Sequence, residues 1–326
     1  MKRRQFAGLS GMAVAALAGP AFAQRDLPLV AVVVPGSATQ AADRIVALRN
    51  GLREAGFVED ANYKLAIGYG DGAYARLPGI VSELGALKPR VIVSGGIATV
   101  VQKLLPETPH VFTSIAADPI KLGLVDNYAR PGGNVTGNVM TRGGEDGAMT
   151  QKRIEYFGQL VPSFKRLGFI GTKTGPLAIA ELDALQSITR RLGFDVVHYP
   201  VGTIEDVEAA VAAAAQNGVD ALYVSGEPLL IANLARTAKA IEVSGKAAVG
   251  PYPDFARAGL LMTYGTDVND GFRRAGIYAA RILRGEKPGD LPIDQESKFV
   301  LVVNSVTAKR LGITVPTTFL ADEVVE

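Results

Sequence analysis

The residues able to do chemistry fall in short polar clusters that follow apolar, β-branched runs. In the first half of the chain these are Ser37, after Leu29–Val34; Ser94, Gly95 and Gly96, after Val91–Val93; and Asp118, after His110–Ile115. In the second half they are Thr172, Lys173 and Thr174; Ser225 and Glu227; and Tyr252. A loop with two glycines at the start of a helix brings backbone N–H groups close to a ligand and favours a carboxylate or another small anion. Lys173 is a counter-ion for an anion, Asp118 or Glu227 can receive an ammonium, and Tyr252 offers an aromatic wall. Each alone also reads as a solvated loop residue or a tight turn. Their shared place at strand ends is what points to a ligand cleft.

The groups needed for catalysis are scarce. There is no Cys, which removes thiolate nucleophiles, Fe–S clusters, thiolate metal sites and disulfides. The two His, His110 and His198, both lie in apolar strand patterns without acidic residues at ligand spacing, so they read as strand residues. Gly68-x-Gly70-x-Gly72 lacks the full dinucleotide-binding order, and no phosphate-cradling Walker pattern is present. The expectation is a binding protein and not an enzyme, with no cofactor and no metal.

The elements that must position these loops alternate as strand then helix, the grammar of βαβ units and parallel sheets. Strands are expected at Leu29–Val34, Tyr63–Gly68, Val91–Ser94, His110–Ile115 and Val135–Met140, with helices at Ala41–Ala55, Ala73–Leu87 and Ala98–Leu105 and a short one near Pro119–Leu122. A second series has strands at Leu167–Gly171, Val196–Tyr199, Ala221–Ser225, Ala247–Gly250 and Leu260–Tyr264. Its helices are Ala148–Leu160, Ala178–Leu192, Glu205–Gln216 and Leu229–Val243. A further helix ends at Gly285 and a last strand spans Phe299–Val303. With 326 residues, two α/β lobes fit: 27–138 plus 266–298, and 139–265 plus 299–326. Three passages between them, near Gly137–Thr141, Tyr264–Asp267 and Lys298–Asn304, make a hinge.

Residues 1–23 read as an export signal. Lys2, Arg3 and Arg4 precede a weakly apolar run that ends in Ala21-Phe22-Ala23, and Arg3-Arg4-Gln5-Phe6 resembles a twin-arginine signal. Cleavage before Gln24 takes the formal charge from +2 to −1, because those three cations leave with no acidic residue. The remaining near-neutral body disfavours nucleic-acid and membrane-surface partners. No later apolar run reaches the length of a membrane span, so a periplasmic location without stable membrane insertion is expected.

Several segments are similar to successive blocks of the ABC-transporter substrate-binding proteins that include binders of tryptophan, tyrosine and phenylalanine. They include Gly51-Leu52-Arg53-Glu54-Ala55-Gly56-Phe57-Val58-Glu59 with Asn62, Asp118–Val125, Ala129–Gly137, Lys152–Glu155, Asp220–Val224, Gly259–Gly265, Lys287–Pro292 and Ala308–Pro316. The resemblance implies a periplasmic-binding-protein fold of two Rossmann-like lobes of the three-crossover kind, a ligand held between them, and delivery to an ABC permease with a cytoplasmic ATPase; a monomer is expected. The chain departs from these relatives at Gly171–Pro176, in place of an Asn-Pro type turn, and at Ser225–Leu229, in place of an Asp-Asn type pair. Both changes fall on expected ligand loops, so an aromatic amino acid and a small carboxylate or amide both remain open. A sensor subunit for a signalling kinase and a periplasmic enzyme are the competing classes. A DNA regulator with the same core is disfavoured, because no DNA-binding headpiece precedes Leu29.

Overall fold

The structure is a computed structural model that describes residues 27–115, 117–140, 146–295 and 298–326. The expected export signal lies outside the described residues. Strand β1 (Leu29–Val34) is followed by α1 (Ala38–Glu54), β2 (Lys64–Tyr69), α2 (Leu77–Ala86), β3 (Val91–Gly95), α3 (Ala98–Leu104), β4 (His110–Ile115) and β5 (Val135–Val139). The second series runs α4 (Asp146–Leu160), β6 (Arg166–Thr172), α5 (Pro176–Leu192), β7 (Asp195–Val201), α6 (Val207–Gln216), β8 (Ala221–Val224), α7 (Pro228–Ala232), α8 (Leu234–Ser244), β9 (Ala247–Gly250), α9 (Pro253–Ala258) and β10 (Met262–Thr266). The chain closes with α10 (Val268–Leu283), β11 (Asp294–Gln295), β12 (Phe299–Asn304), α11 (Ser305–Arg310) and β13 (Glu323–Val325).

Two sheets result. The first has the order β11-β5-β4-β3-β1-β2 and is parallel throughout. Its strands are apolar on both faces because both are covered. Val30, Val32 and Val34 pack with Ile45, Leu48 and Leu52 of α1 and with Phe272, Ala275 and Ala279 of α10. Ala31 and Val33 face Leu77, Val81 and Leu84 of α2 and Val101 of α3. Helices α1 and α10 meet backbone to backbone: a Cβ on Gly51 would lie 1.8 Å from the Arg273 carbonyl oxygen, and one on Gly276 would lie 2.3 Å from that of Leu48. Either glycine changed to alanine would drive these helices apart.

The second sheet has the order β13-β12-β10-β9-β8-β6-β7. Helices α4 and α5 cover one face, around Phe157, Leu185, Phe169, Tyr223 and Tyr264, and α6, α8 and α9 cover the other, around Val211, Ile241 and Phe255. The order β2-β1-β3-β4-β5 of the first sheet and β7-β6-β8-β9-β10 of the second are the same doubly wound pattern. Each reverses direction beside its first strand, where ligands bind in such sheets.

One strand departs from the parallel expectation. β12 runs antiparallel to β10, with Thr266 opposite Phe299 and Met262 opposite Val303. The chain leaves the second sheet at the end of β10, adds α10 and β11 to the first, and re-enters at that same end, so it must run back. Other differences are local. The expected helix Leu229–Val243 is broken at Asn233, whose side-chain amide donates to the Leu229 carbonyl (2.9 Å) that a continuous helix would reserve for its backbone N–H. The expected short helix near Pro119–Leu122 is a set of turns closed by Leu122 N–H to Asp118 O (3.0 Å). No described helix is long and apolar enough to cross a membrane.

Candidate functional site

The carboxyl ends of the parallel strands of the two sheets face each other, and every candidate from the sequence sits on or beside a loop at one of those ends. In the first sheet the hydroxyls turn away from the cleft. Ser37 is the N-cap of α1, its Oγ accepting from Gln40 N–H (3.4 Å) while Gln40 Oε1 accepts from Ser37 N–H (2.9 Å). Ser94 is fully buried and bonds His110 Nε2 at 2.7 Å. Burial alone pushes the His110 imidazole down to about 3, so it is neutral. Gly95 lies against Phe272, with room for no side chain, and Gly96 is exposed at φ +73°. Helix α3 then starts with Ile97 at its N-cap and no side-chain cap. What this loop offers a ligand is backbone N–H. Asp118 holds its own loop, accepting from Ile120 N–H (3.0 Å) and the Tyr128 hydroxyl (3.3 Å).

The second sheet presents charged side chains. Glu227 is 3% exposed; its carboxylate accepts from Thr172 N–H and from Thr172 Oγ1, both at 2.7 Å. No Lys or Arg among the described residues forms an ion pair with it. Gly175 makes this geometry possible, since a Cβ there would lie 1.8 Å from Glu227 Oε1. Lys173 and Thr174 are exposed on the rim. Ser225 donates to a carboxylate the sequence reading did not single out: Glu181 of α5 accepts from Ser225 Oγ (2.6 Å), Gly226 N–H (3.1 Å) and Tyr223 OH (3.0 Å). Burial pushes the Glu181 carboxyl up, against the pull of these donors and of Arg153, whose Nη1 is 3.9 Å away. Arg153 of α4 is itself held by the Tyr264 carbonyl (2.7 Å) and the Tyr223 hydroxyl. Tyr252 lies on Gly226, and its hydroxyl meets Met140 Sδ at 3.5 Å.

The structure thus brings Thr172 and Glu227 into direct contact and sets Ser225 and Tyr252 on either side of Gly226. Contact between the two sheets' loops is made by other residues. Gln40 Nε2 donates to the Ala232 (2.7 Å) and Ile231 (3.2 Å) carbonyls at the end of α7, and Arg44 pairs with Asp254 at 3.0 Å. Desolvation and the Glu227 carboxylate push the Tyr74 phenol up. A further feature missed from sequence is Ser114, at φ +53° where β4 shifts register; its N–H and the Thr113 hydroxyl donate to Asn138 Oδ1 at 3.0 and 3.1 Å. Such strain in a non-glycine residue is typical of functional sites.

Two cavities border these loops. One of about 50 Å³ lies among Met140, Met149, Arg153, Glu181, Tyr252 and Thr266. The other, about 320 Å³, lies among Arg44, Asp254, Arg257, Asp267, Lys298 and Glu323, beside the passage from β10 to α10 and the start of β12. The charges of the second are already paired, Arg257 with Glu323 (2.7 Å) and Lys298 with Asp267 (2.6 Å). Among the described residues no group of three or more His, Asp or Glu could hold a metal ion.

Residues 29–325 match the sequence profile of the ABC transporter substrate-binding proteins. The chain belongs to that family. A tyrosine-binding protein of Clostridioides difficile (strain R20291) is 23% identical over 262 residues, 80% of this chain and 74% of that protein. The fold of this substrate-binding protein is shared with an ABC domain from Streptococcus pneumonia in complex with L-Trp, at a TM-score of 0.82 and 22% identity over 92% of this chain and 100% of that one. A conserved domain protein of Vibrio cholerae gives 0.81 and 23% over 91% and 99%. Substrate-binding proteins of ABC transporters bind small ligands outside the cytoplasm and work with permease and ATPase components.

Proposed function

We propose that the protein is the solute-binding component of an ABC importer and closes over a small zwitterion, an amino acid with the aromatic ones as first candidates. The observation that carries this reading is Glu227. Buried carboxylates are normally paired with a cation, and this one is held by two donors from Thr172 with no cation paired to it among the described residues. It lies at the switch point of the second sheet, electrostatically coupled to Tyr74 from the first. A ligand ammonium completes it. The uncapped start of α3 after Gly95–Gly96 supplies backbone N–H groups for the carboxylate, with Lys173 adding charge from the rim. The contacts of Gln40 and Arg44 with the opposite lobe describe a closed form, which ligand bridging both lobes favours.

The lobes in this reading are 27–138 with 266–298, and 139–265 with 299–326. The protein works as a monomer in the periplasm after export through a twin-arginine signal cut at Ala23. A thermal-shift and calorimetric screen tests the ligand class, with L-Trp, L-Tyr, L-Phe, branched amino acids and small carboxylic acids. A ligand at 100 times its Kd adds about 2.7 kcal/mol of stability. An aromatic amino acid should raise the melting midpoint, and Glu227→Gln should abolish that rise. No shift with any amino acid rejects the reading.

A further inference from the structure

The cavity of about 50 Å³ beneath the cleft has a composition with a consequence for specificity. Its walls are Met140, Met149, Leu177, Pro251 and the ring of Tyr252. Its two charges among the described residues, Arg153 and Glu181, are spent on each other and on Tyr223, Ser225 and Gly226, so the described wall carries no unpaired charge. Among its described lining residues one buried side-chain polar atom is left without a partner. Thr266 is 3% exposed and its Oγ1 has no hydrogen-bond partner. Along β10 alternate residues share a face; Met262 and Tyr264 pack with Ile154, Phe157 and Leu185 of α4 and α5, so Thr266 also points to that side, where the cavity lies. Thr263, whose hydroxyl is unpartnered too, points to the other face. A buried hydroxyl without a partner pays its desolvation cost with nothing in return.

We propose that this cavity reads the far end of the ligand's side chain and selects an uncharged, apolar side chain that carries one hydrogen-bonding group, which Thr266 recognises. The inference rests on the cleft-binding reading above. One water needs about 10–15 Å³ of such space, so the cavity takes a side-chain tip and not a whole ligand. The two methionines can repack around an aromatic edge, and their sulfurs are favourable neighbours for it. A charged tip finds no free counter-ion among the described residues here and meets its full desolvation cost.

The test uses L-tyrosine and L-phenylalanine, which differ by one hydroxyl, with L-glutamate as the charged probe, in calorimetry on the wild type, Thr266→Val and Thr266→Ser. The wild type should prefer tyrosine over phenylalanine by about tenfold, Thr266→Val should bring the ratio within about twofold, and Thr266→Ser should retain it. Equal binding of the two by the wild type, an unchanged preference in Thr266→Val, or glutamate binding as tightly as tyrosine overturns the proposal. If none of the three binds, the amino-acid reading fails, and melting curves without ligand still decide on the pocket. Thr266→Val melting at or above the wild type supports an unpartnered hydroxyl. A midpoint lower by more than about 3 °C shows a hydroxyl the protein itself satisfies, and overturns it.

Discussion

The carboxyl ends of the two sheets have the same topology and opposite chemistry. At the first, Ser94 is committed to His110 and Ser37 to its own helix cap, which leaves glycine-rich backbone facing the cleft. At the second, Arg153, Glu181, Thr172 and Glu227 form two buried carboxylate clusters. The first end carries backbone N–H groups, which most side-chain substitutions leave in place; the second carries buried charges that a single substitution deletes. Sensitivity to mutation should therefore be concentrated in the second lobe.

The sharpest break of that contrast is Glu181→Ala, which leaves Arg153 buried without its carboxylate. Chemical denaturation should show a loss of about 3–5 kcal/mol, whereas Ser94→Ala in the first lobe should lose about 1–2 kcal/mol. Comparable losses would erase the asymmetry. Next, Glu227→Ala should weaken binding of the cognate amino acid about 100-fold by calorimetry, some 2.7 kcal/mol, while Asp118→Ala, whose carboxylate serves its own loop, should change it less than threefold. The first lobe has its own signature in pH. His110 is held near 3 in the folded chain against about 6.5 unfolded, so the unfolded chain binds the extra proton between these values. The stability it contributes is complete above pH 6.5 and is lost as pH falls towards 3. Between pH 7 and 4.5 the wild type should lose about 2–3 kcal/mol more than His110→Gln. A smaller loss than that of Glu227→Ala is expected for Gln40→Ala, which removes the bonds to the α7 carbonyls that would hold the proposed closed form: apparent affinity should fall about three- to tenfold, through faster ligand release in stopped-flow traces.

Much of this was readable in the sequence, and the remainder was hidden for definite reasons. Polar clusters after apolar runs located the loops, because a doubly wound sheet places its strand ends together. The pattern Ser37-x-x-Gln40 is a visible capping box, but the second role of Gln40 lies about 190 residues away, at α7. Glu181 and Arg153 did leave a signal. Glu181 falls on the buried stripe of Ala178, Leu185 and Ile188, and Arg153 on that of Ile154, Phe157 and Leu160; a charge at a core position of a helix asks for a partner. Ser114 left none, since the partner of its N–H in that conformation, Asn138, lies 24 residues on. The antiparallel β12 was equally hidden, because its direction depends on where the chain re-enters the sheet and not on its residues.

The detour through α10 and β11 bears on the order of assembly. Phe272, Ala275 and Ala279 complete the core over β1, and β11 pairs with β5, so the first sheet is covered only once about residue 295 is in place. A ribosome that has released 140 residues has released a sheet with one face covered by α1 alone, its apolar residues awaiting Phe272, Ala275 and Ala279 of α10. Its closing contacts span long separations, 219 residues for Arg273 with Glu54, and such topologies fold slowly. The lobe that is made first is thus finished nearly last, and a chain truncated before Val268 exposes the valines of β1 and β3 to aggregation.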